Sequence, residues 1–205
     1  MTNYLQGIDV SHYNGHIDWA NVLADPAAPK FVYMKATQGD TFVDPQYAAY
    51  RAGAKAEGLL CGAYHFFAPD KPVKDQVDSF VKVVGSVKDE LPPMLDIEQA
   101  GLAPQQYLEA ITAWLLQVGD LLSCTPAIYT SASEWKTNLH NLPFPHSRLW
   151  VSHYTANPQP ALPPDAAGYT FWQYSQSGTV SGIDGHVDMS RYPGTPEGLH
   201  QLVGC

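Results

Sequence analysis

Cysteine, positive charge and long apolar runs are all scarce in this chain of 205 residues. Its three cysteines, Cys61, Cys124 and Cys205, form no CxxC and no disulfide-scaffold spacing. A stapled mini-protein is therefore excluded, and the cysteines are expected as free thiols or, under oxidising conditions, as one pair with one left over. Only 11 Lys+Arg stand against 20 Asp+Glu, for a formal net charge of −9. An acidic chain of this kind is unsuited to binding nucleic acid, and no basic cluster offers a dock on anionic lipid. No apolar run approaches the ~18 residues of a membrane span, so no membrane insertion is expected. The opening MTNYLQGIDV has neither a basic n-region nor an apolar h-region, so no signal peptide is expected. No strand pattern leads into GxGxxG or a P-loop, so no nucleotide fingerprint is present. No repeat, low-complexity tract or linker interrupts the chain. One domain over 1–205 is expected, with 193–205 as a short C-terminal tail.

What is present is a composition that is 45% apolar and only 15% charged, with 12 Tyr and 5 Trp. That composition is globular, and its aromatic rings can fill a core or line a sugar-binding groove. Strand patterns fall at 6–11, 30–37, 59–67, 92–98, 126–131, 148–154, 169–175 and 185–192. Helical patterns lie between the second and sixth of these. Over 43–58, Asp44 is the predicted N-cap, Pro45 the first helical residue and Gly58 the stop. Val73, Val77, Phe80, Val81 and Val84 give the next helix. After Pro104, the stripe Tyr107, Leu108, Ile111, Trp114, Leu115, Val118 and Leu122 gives the clearest one. A short helix follows near 134–139, and beyond it Pro- and Gly-rich loops join the strands. About eight strands and about five helices predict an α/β fold, an irregular TIM-like barrel whose last helices are lost. An open doubly wound sheet is the second choice.

In such a barrel the chemistry sits at the C-terminal rim of the strands. The residues expected there include Asp9, Lys35, Thr37, Tyr64, His65, Asp96, Glu98, Tyr129, His153, Tyr154, Gln173 and Asp188. Asp96 and Glu98 lie two apart in LPPMLDIEQ, so both point to one face, with Cβ atoms about 6–7 Å apart from the rise per residue. Asp9 and Asp188 meet when the first and last strands close the barrel. A lone DxE is most often a solvated strand end, but four acids at one rim must raise some of their own pKa values. An acid that keeps its proton beside an ionised one is the pairing a glycosidase needs. Lys35 is the cation expected near them.

The segments GIDVSHYNGHIDW, FVYMKATQGDTFVDPQY, GAYHFF, LPPMLDIE, AIYTS, LWVSHY and WQYSQSGTVSGIDGHVDMS resemble glycoside hydrolase family 25, the Chalaropsis-type lysozymes. The matches keep the family's order from about Gly7 to Tyr192. The resemblance implies an irregular barrel of eight strands and five helices. It also implies N-acetylmuramidase activity: cleavage of the β-1,4 bond between N-acetylmuramic acid and N-acetylglucosamine, with retention. Glu98 matches the general acid, Asp96 the acid beside it, and Asp9 and Asp188 the two further acids. Asp96 is then either a nucleophile or the stabiliser of a substrate-assisted intermediate. Tyr64, Tyr129, Tyr154, Trp172, Lys35 and Gln173 are expected to contact the sugar. No C-terminal wall-binding module is recognised.

His12 and His16 lie in a Gly-containing loop without a third ligand pattern, so no metal is expected, and no cofactor. Trp19 and Trp114 read as core. A chitinase-like glycosidase and an inactive glycan-binding barrel are the alternatives. Bacterial cell-wall peptidoglycan is the expected partner of a monomer. Release by lysis, as for a phage endolysin, or through a secretion system is expected to bring the chain to the wall.

Overall fold

A computed structural model describes residues 4–204. In chain order its elements are β1 (Leu5–Val10), α1 (Trp19–Ala24), β2 (Phe31–Gln38), β3 (Phe42–Val43), α2 (Tyr47–Ala56), β4 (Leu60–Phe66), α3 (Val73–Val84), β5 (Met94–Asp96), α4 (Pro104–Leu122), β6 (Ala127–Thr130), α5 (Ala132–Leu139), β7 (Leu149–Ser152), β8 (Phe171–Gly178), β9 (Val187–Tyr192) and α6 (Pro196–His200). The strands run β1-β9-β8-β7-β6-β5-β4-β2, and β1 pairs with β2, so eight strands close a barrel. β3 is an extra strand hairpinned onto β2. All eight predicted strands are in the barrel. Neighbours pair in parallel except at β9, which is antiparallel to both β8 and β1. No helix separates β7, β8 and β9 among the described residues.

Strand alternation sorts the barrel interior into layers. The floor is ring-rich: Phe31, Tyr33, Met94, Ala127, Trp150 and Phe171 form one buried cluster. Two glycines make room for it. A Cβ on Gly7 would lie 2.2 Å from the Phe31 ring, and one on Gly62 would lie 2.2 Å from the Tyr33 ring. Gly7 is opposite Phe31 and Gly62 opposite Tyr33 in the register, so each large inward ring faces an absent side chain. One layer higher the inward residues turn polar. Outward residues such as Ile8, Val32, Leu95, Ile128 and Val151 pack beneath the helices. From α4 the stripe Tyr107, Ile111, Trp114 and Val118 meets them, fully buried at helical spacing, and Pro104 opens the helix as expected.

Several local expectations are corrected. α2 begins at Tyr47, and Asp44 does not cap it. Its Oδ2 instead accepts from the His12 backbone N–H at 3.0 Å and lies 2.7 Å from His12 Nδ1, tying α2's approach to the loop after β1. An Asp–Pro pair fits either role in sequence. α1 and α6 lie outside the predicted helices, since five or six residues carry too little periodicity. The tail expectation also changes. α6 and the turns after it fold under the floor, with Leu199 buried there and Gly204 N–H donating to Glu90 O at 2.9 Å. Cys61 is buried, whereas Cys205 lies outside the described residues.

Candidate active site

Above the aromatic floor lies a hollow of about 180 Å³, lined by Asp9, Lys35, Tyr64, Asp96, Glu98, Tyr129, Gln173 and Asp188 together with Ser11, Tyr13, Phe66 and Trp150. The four acids are thus brought together. Asp9 is next to last in β1, and Asp188 faces it directly across the β1–β9 ladder. Asp188 reaches the rim from the start of its strand because β9 runs backwards. Asp96 closes β5, and Glu98 follows just beyond. That segment is pinned on its flank: Ile97 N–H donates to Tyr129 O at 2.9 Å, Thr130 Oγ1–H to Ile97 O at 3.0 Å and Asn138 Nδ2–H to Glu98 O at 3.2 Å. Ile97 is buried outward, which leaves Asp96 and Glu98 on one face.

Gln173 organises the opposite wall. Its Nε2 donates to both Asp9 oxygens, at 3.1 and 3.0 Å, and reaches Asp188 Oδ2 at 3.5 Å. Its Oε1 accepts from the Tyr129 hydroxyl at 2.8 Å and the Tyr154 hydroxyl at 2.7 Å. Two hydroxyl donors on one side and carboxylate acceptors on the other fix which way the amide faces. Gln173 is 2% exposed and lines the hollow among these partners.

Burial dominates the electrostatics. It lifts Asp9 well above the usual carboxylate range, with the facing Asp188 carboxylate adding to the rise. Burial lifts Asp188 as well. Like charges directly opposite in a ladder repel, and a proton held between the pair removes that cost. Asp96 is raised by burial and then by Glu98, against the pull of Lys35. Its Oδ1 is buried without a hydrogen-bond partner among the described residues. Glu98 is pushed up to about 7, first by burial and next by Glu134, while the neighbouring Tyr129 hydroxyl and Lys35 pull it down. Burial lowers the Lys35 ammonium, and the surrounding acids oppose that. Its Nζ donates to Gln38 Oε1 at 2.6 Å and lies 4.5 Å from the Phe66 ring centroid.

Lys35, Tyr64 and Tyr129 lie on the hollow, and Tyr154, 46% exposed, stands at its rim. Trp172 does not line it. Gln173 points inward, so Trp172 points outward, fully buried, with its Nε1–H donating to His153 O at 2.8 Å. Thr37 and His65 also face away. A bulge between Lys35 and Thr37 shifts the register, and Thr37 Oγ1 meets His65 Nδ1 at 2.7 Å on the outer surface of the barrel. Phe66 and Trp150 were accessible to strand alternation, since they share parity with Tyr64 and Tyr154. Tyr13 carries no signal of its own. Glu134 could be found only as the end of an S-x-x-E capping box, in which its Oε2 accepts from Ser131 N–H at 3.1 Å.

A wider surface groove of about 590 Å³ lies between the end of α4 and residues 145–147, with Asp120 its only carboxylate. It is remote from the four acids.

The sequence profile described as Glycosyl hydrolases family 25 matches residues 8–183. The chain is 34% identical over 203 residues to the uncharacterized protein YegX of Escherichia coli K12, spanning 97% of this chain and 73% of that one. It is 34% identical over 215 residues to Lysozyme M1 of Streptomyces globisporus, covering 98% and 72%. The crystal structure of the bacterial lysozyme from Streptomyces coelicolor superposes with a TM-score of 0.92 at 33% identity, covering 100% of this chain and 99% of that one.

Proposed function

The chain belongs to glycosyl hydrolases family 25 and is a glycoside hydrolase of the lysozyme type, and on that premise we propose how its hollow cuts peptidoglycan between N-acetylmuramic acid and N-acetylglucosamine. The observation that supports the assignment of roles is Glu98 beside buried Asp96 on one face of a small hollow, where burial pushes the Glu98 carboxyl up to about 7. Glu98 donates its proton to the leaving glycosidic oxygen and then, as carboxylate, takes a proton from the incoming water. A positioned acid of this kind is worth about 10²–10⁴ in rate.

Asp96 favours the substrate-assisted route. A carboxyl that burial and Glu98 hold above its ordinary range is a poor nucleophile. Its unpartnered Oδ1 is an acceptor suited to the N–H of a 2-acetamido group. Held there, the acetamide turns its oxygen on the anomeric carbon as the leaving group departs. An oxazoline-type intermediate results, and water opens it with net retention. Asp9 and Asp188, sharing a proton under Gln173, hold the far wall of the hollow. Tyr64 and Tyr129 contact the sugar from inside the rim and Tyr154 from its edge. The chain acts as a monomer and meets the wall after lysis or through a secretion system. Among the described residues no helix is long and apolar enough to cross a membrane.

Mass spectrometry of products from purified peptidoglycan tests the bond assignment. Reducing-end N-acetylmuramic acid is expected, and reducing-end N-acetylglucosamine would refute it. Substrates bearing trifluoroacetamide in place of acetamide test the route. A steep fall in kcat is expected, and an unchanged kcat with a glycosyl adduct on Asp96 would refute it.

A further inference from the structure

We propose that the outer face of β8, β9 and β1 is a second binding site, one that takes a carboxylate of the peptide stem on the glycan being cut. The proposal rests on the peptidoglycan reading above. This is the side of the barrel that no helix covers among the described residues. Arg191 sits in its centre, paired across β8 with Trp172 and across β1 with Gln6. Its guanidinium lies 3.7 Å from the Trp172 ring centroid, 4.4 Å from Tyr4 and 5.0 Å from Tyr174. Three rings hold the fork in place by cation–π contact, so little further ordering is needed to bind.

In an acidic chain this cation has no acidic partner. Among the described residues no carboxylate lies within ion-pair distance of it, and its buried Nε finds no hydrogen-bond acceptor. Six other cations also lack an ion pair among the described residues, but of the cationic side chains there Arg191 alone has a buried nitrogen without an acceptor. A planar guanidinium with unspent donors in an aromatic surround matches a carboxylate. The surround opens as a trough of about 580 Å³, walled on the far side by Thr155, Asn157, Pro158 and Gln159. That wall continues from Tyr154, whose hydroxyl reaches Gln173 in the hollow. Arg191 lies three residues along β9 from Asp188, about 10 Å toward the floor, so a stem leaving a sugar in the hollow would cross the rim beside Tyr154 and run down the outer wall to reach the trough.

The test is a titration of the protein with a synthetic stem tetrapeptide bearing free carboxylates, followed at the Arg191 Nε–H resonance by ¹H–¹⁵N NMR. The same peptide with every carboxylate amidated is the control. The free acid is expected to shift that resonance, and amidation to weaken binding about tenfold, the order of one charge-assisted hydrogen-bond pair. Arg191→Met, checked for folding by near-UV circular dichroism, is expected to raise KM about tenfold on peptide-bearing strands and less than about twofold on peptide-free strands. An unmoved resonance, or equal binding of both peptides, overturns the proposal even if Arg191→Met cannot be folded. Wild-type enzyme that releases no muramic acid ends from peptide-free strands would instead overturn the bond assignment.

Discussion

Replacing Glu98 by glutamine probes the hollow through stability, independently of turnover. Burial pushes the carboxyl up to about 7 from an ordinary 4.5, which corresponds to about 3 kcal/mol. Because Glu98 keeps some contact with solvent, about 1–3 kcal/mol is the working range. The folded value lies above the unfolded one, so the folded chain binds this proton more tightly. The contribution is whole below about pH 4.5 and is lost as pH rises through about 7. At pH 8 the wild type holds an ionised Glu98 against burial and Glu134, whereas glutamine carries no charge there. Glu98→Gln should therefore be more stable than wild type at pH 8 by about 1–3 kcal/mol, and no more stable at pH 4. Urea unfolding followed by tryptophan fluorescence at the two pH values measures this. Turnover should vanish at both, while the wild type loses half its kcat/KM near pH 7 and about tenfold per unit beyond. The same stability difference at pH 4 and pH 8 would refute the electrostatic reasoning.

Gln173→Ala removes the clamp on Asp9 and frees two tyrosine hydroxyls. It should lower kcat by about 10–100-fold with little change in KM, and a KM effect alone would return Gln173 to sugar contact. His65, buried between Thr37 and Gln76, is pushed down by burial to about 4. Its folded value lies below the unfolded 6.5, so its contribution is whole above pH 6.5 and lost as pH falls toward 4, by about 3 kcal/mol. His65→Asn should flatten that loss in unfolding curves taken across this range. Gly62→Ala puts a Cβ 2.2 Å from the Tyr33 ring, and a loss of about 1–3 kcal/mol should appear as a lower Tm.

Period-2 patterning made all eight barrel strands legible, because one face of each is buried beneath helices or floor. The direction of β9 was hidden, since alternation reads the same forwards and backwards. Only the loop lengths on either side of β9 bear on it, and they are weak signals. The DxE face was legible for the same reason that Trp172 was ambiguous. Parity puts two residues on one side but does not say which side, and in FWQY that is decided by Gln173 meeting Asp9, 164 residues away. Thr37 was misplaced by one bulge, which leaves no mark in the strand's composition, whereas His65 faces outward by the plain alternation that turns Tyr64 inward. Asp44 followed a valid local rule, but a contact 32 residues distant won. The rim acids survived these errors because three separate segments each placed one or two of them.

The floor beneath the acids ties stability to activity. Ring carbon from Phe31, Tyr33, Trp150 and Phe171 solvates ions poorly, so the layer above it keeps protons that exposed carboxylates would lose. Asp9, Asp96 and Glu98 all shift upward, so what each contributes to stability is lost as pH rises through its raised value, for Glu98 at about 7. His65, on the outer side of the same wall, shifts downward, and its contribution drains away as pH falls below 6.5. The two slopes have opposite sign and belong to different faces of the barrel. Stability should therefore peak on the acidic side of neutrality, with its alkaline flank eased by Glu98→Gln and its acid flank by His65→Asn, each without moving the other. If one variant shifted both flanks, the faces would be electrostatically joined through the strands, and the layered picture of a dry floor under a separate set of acids would have to be abandoned.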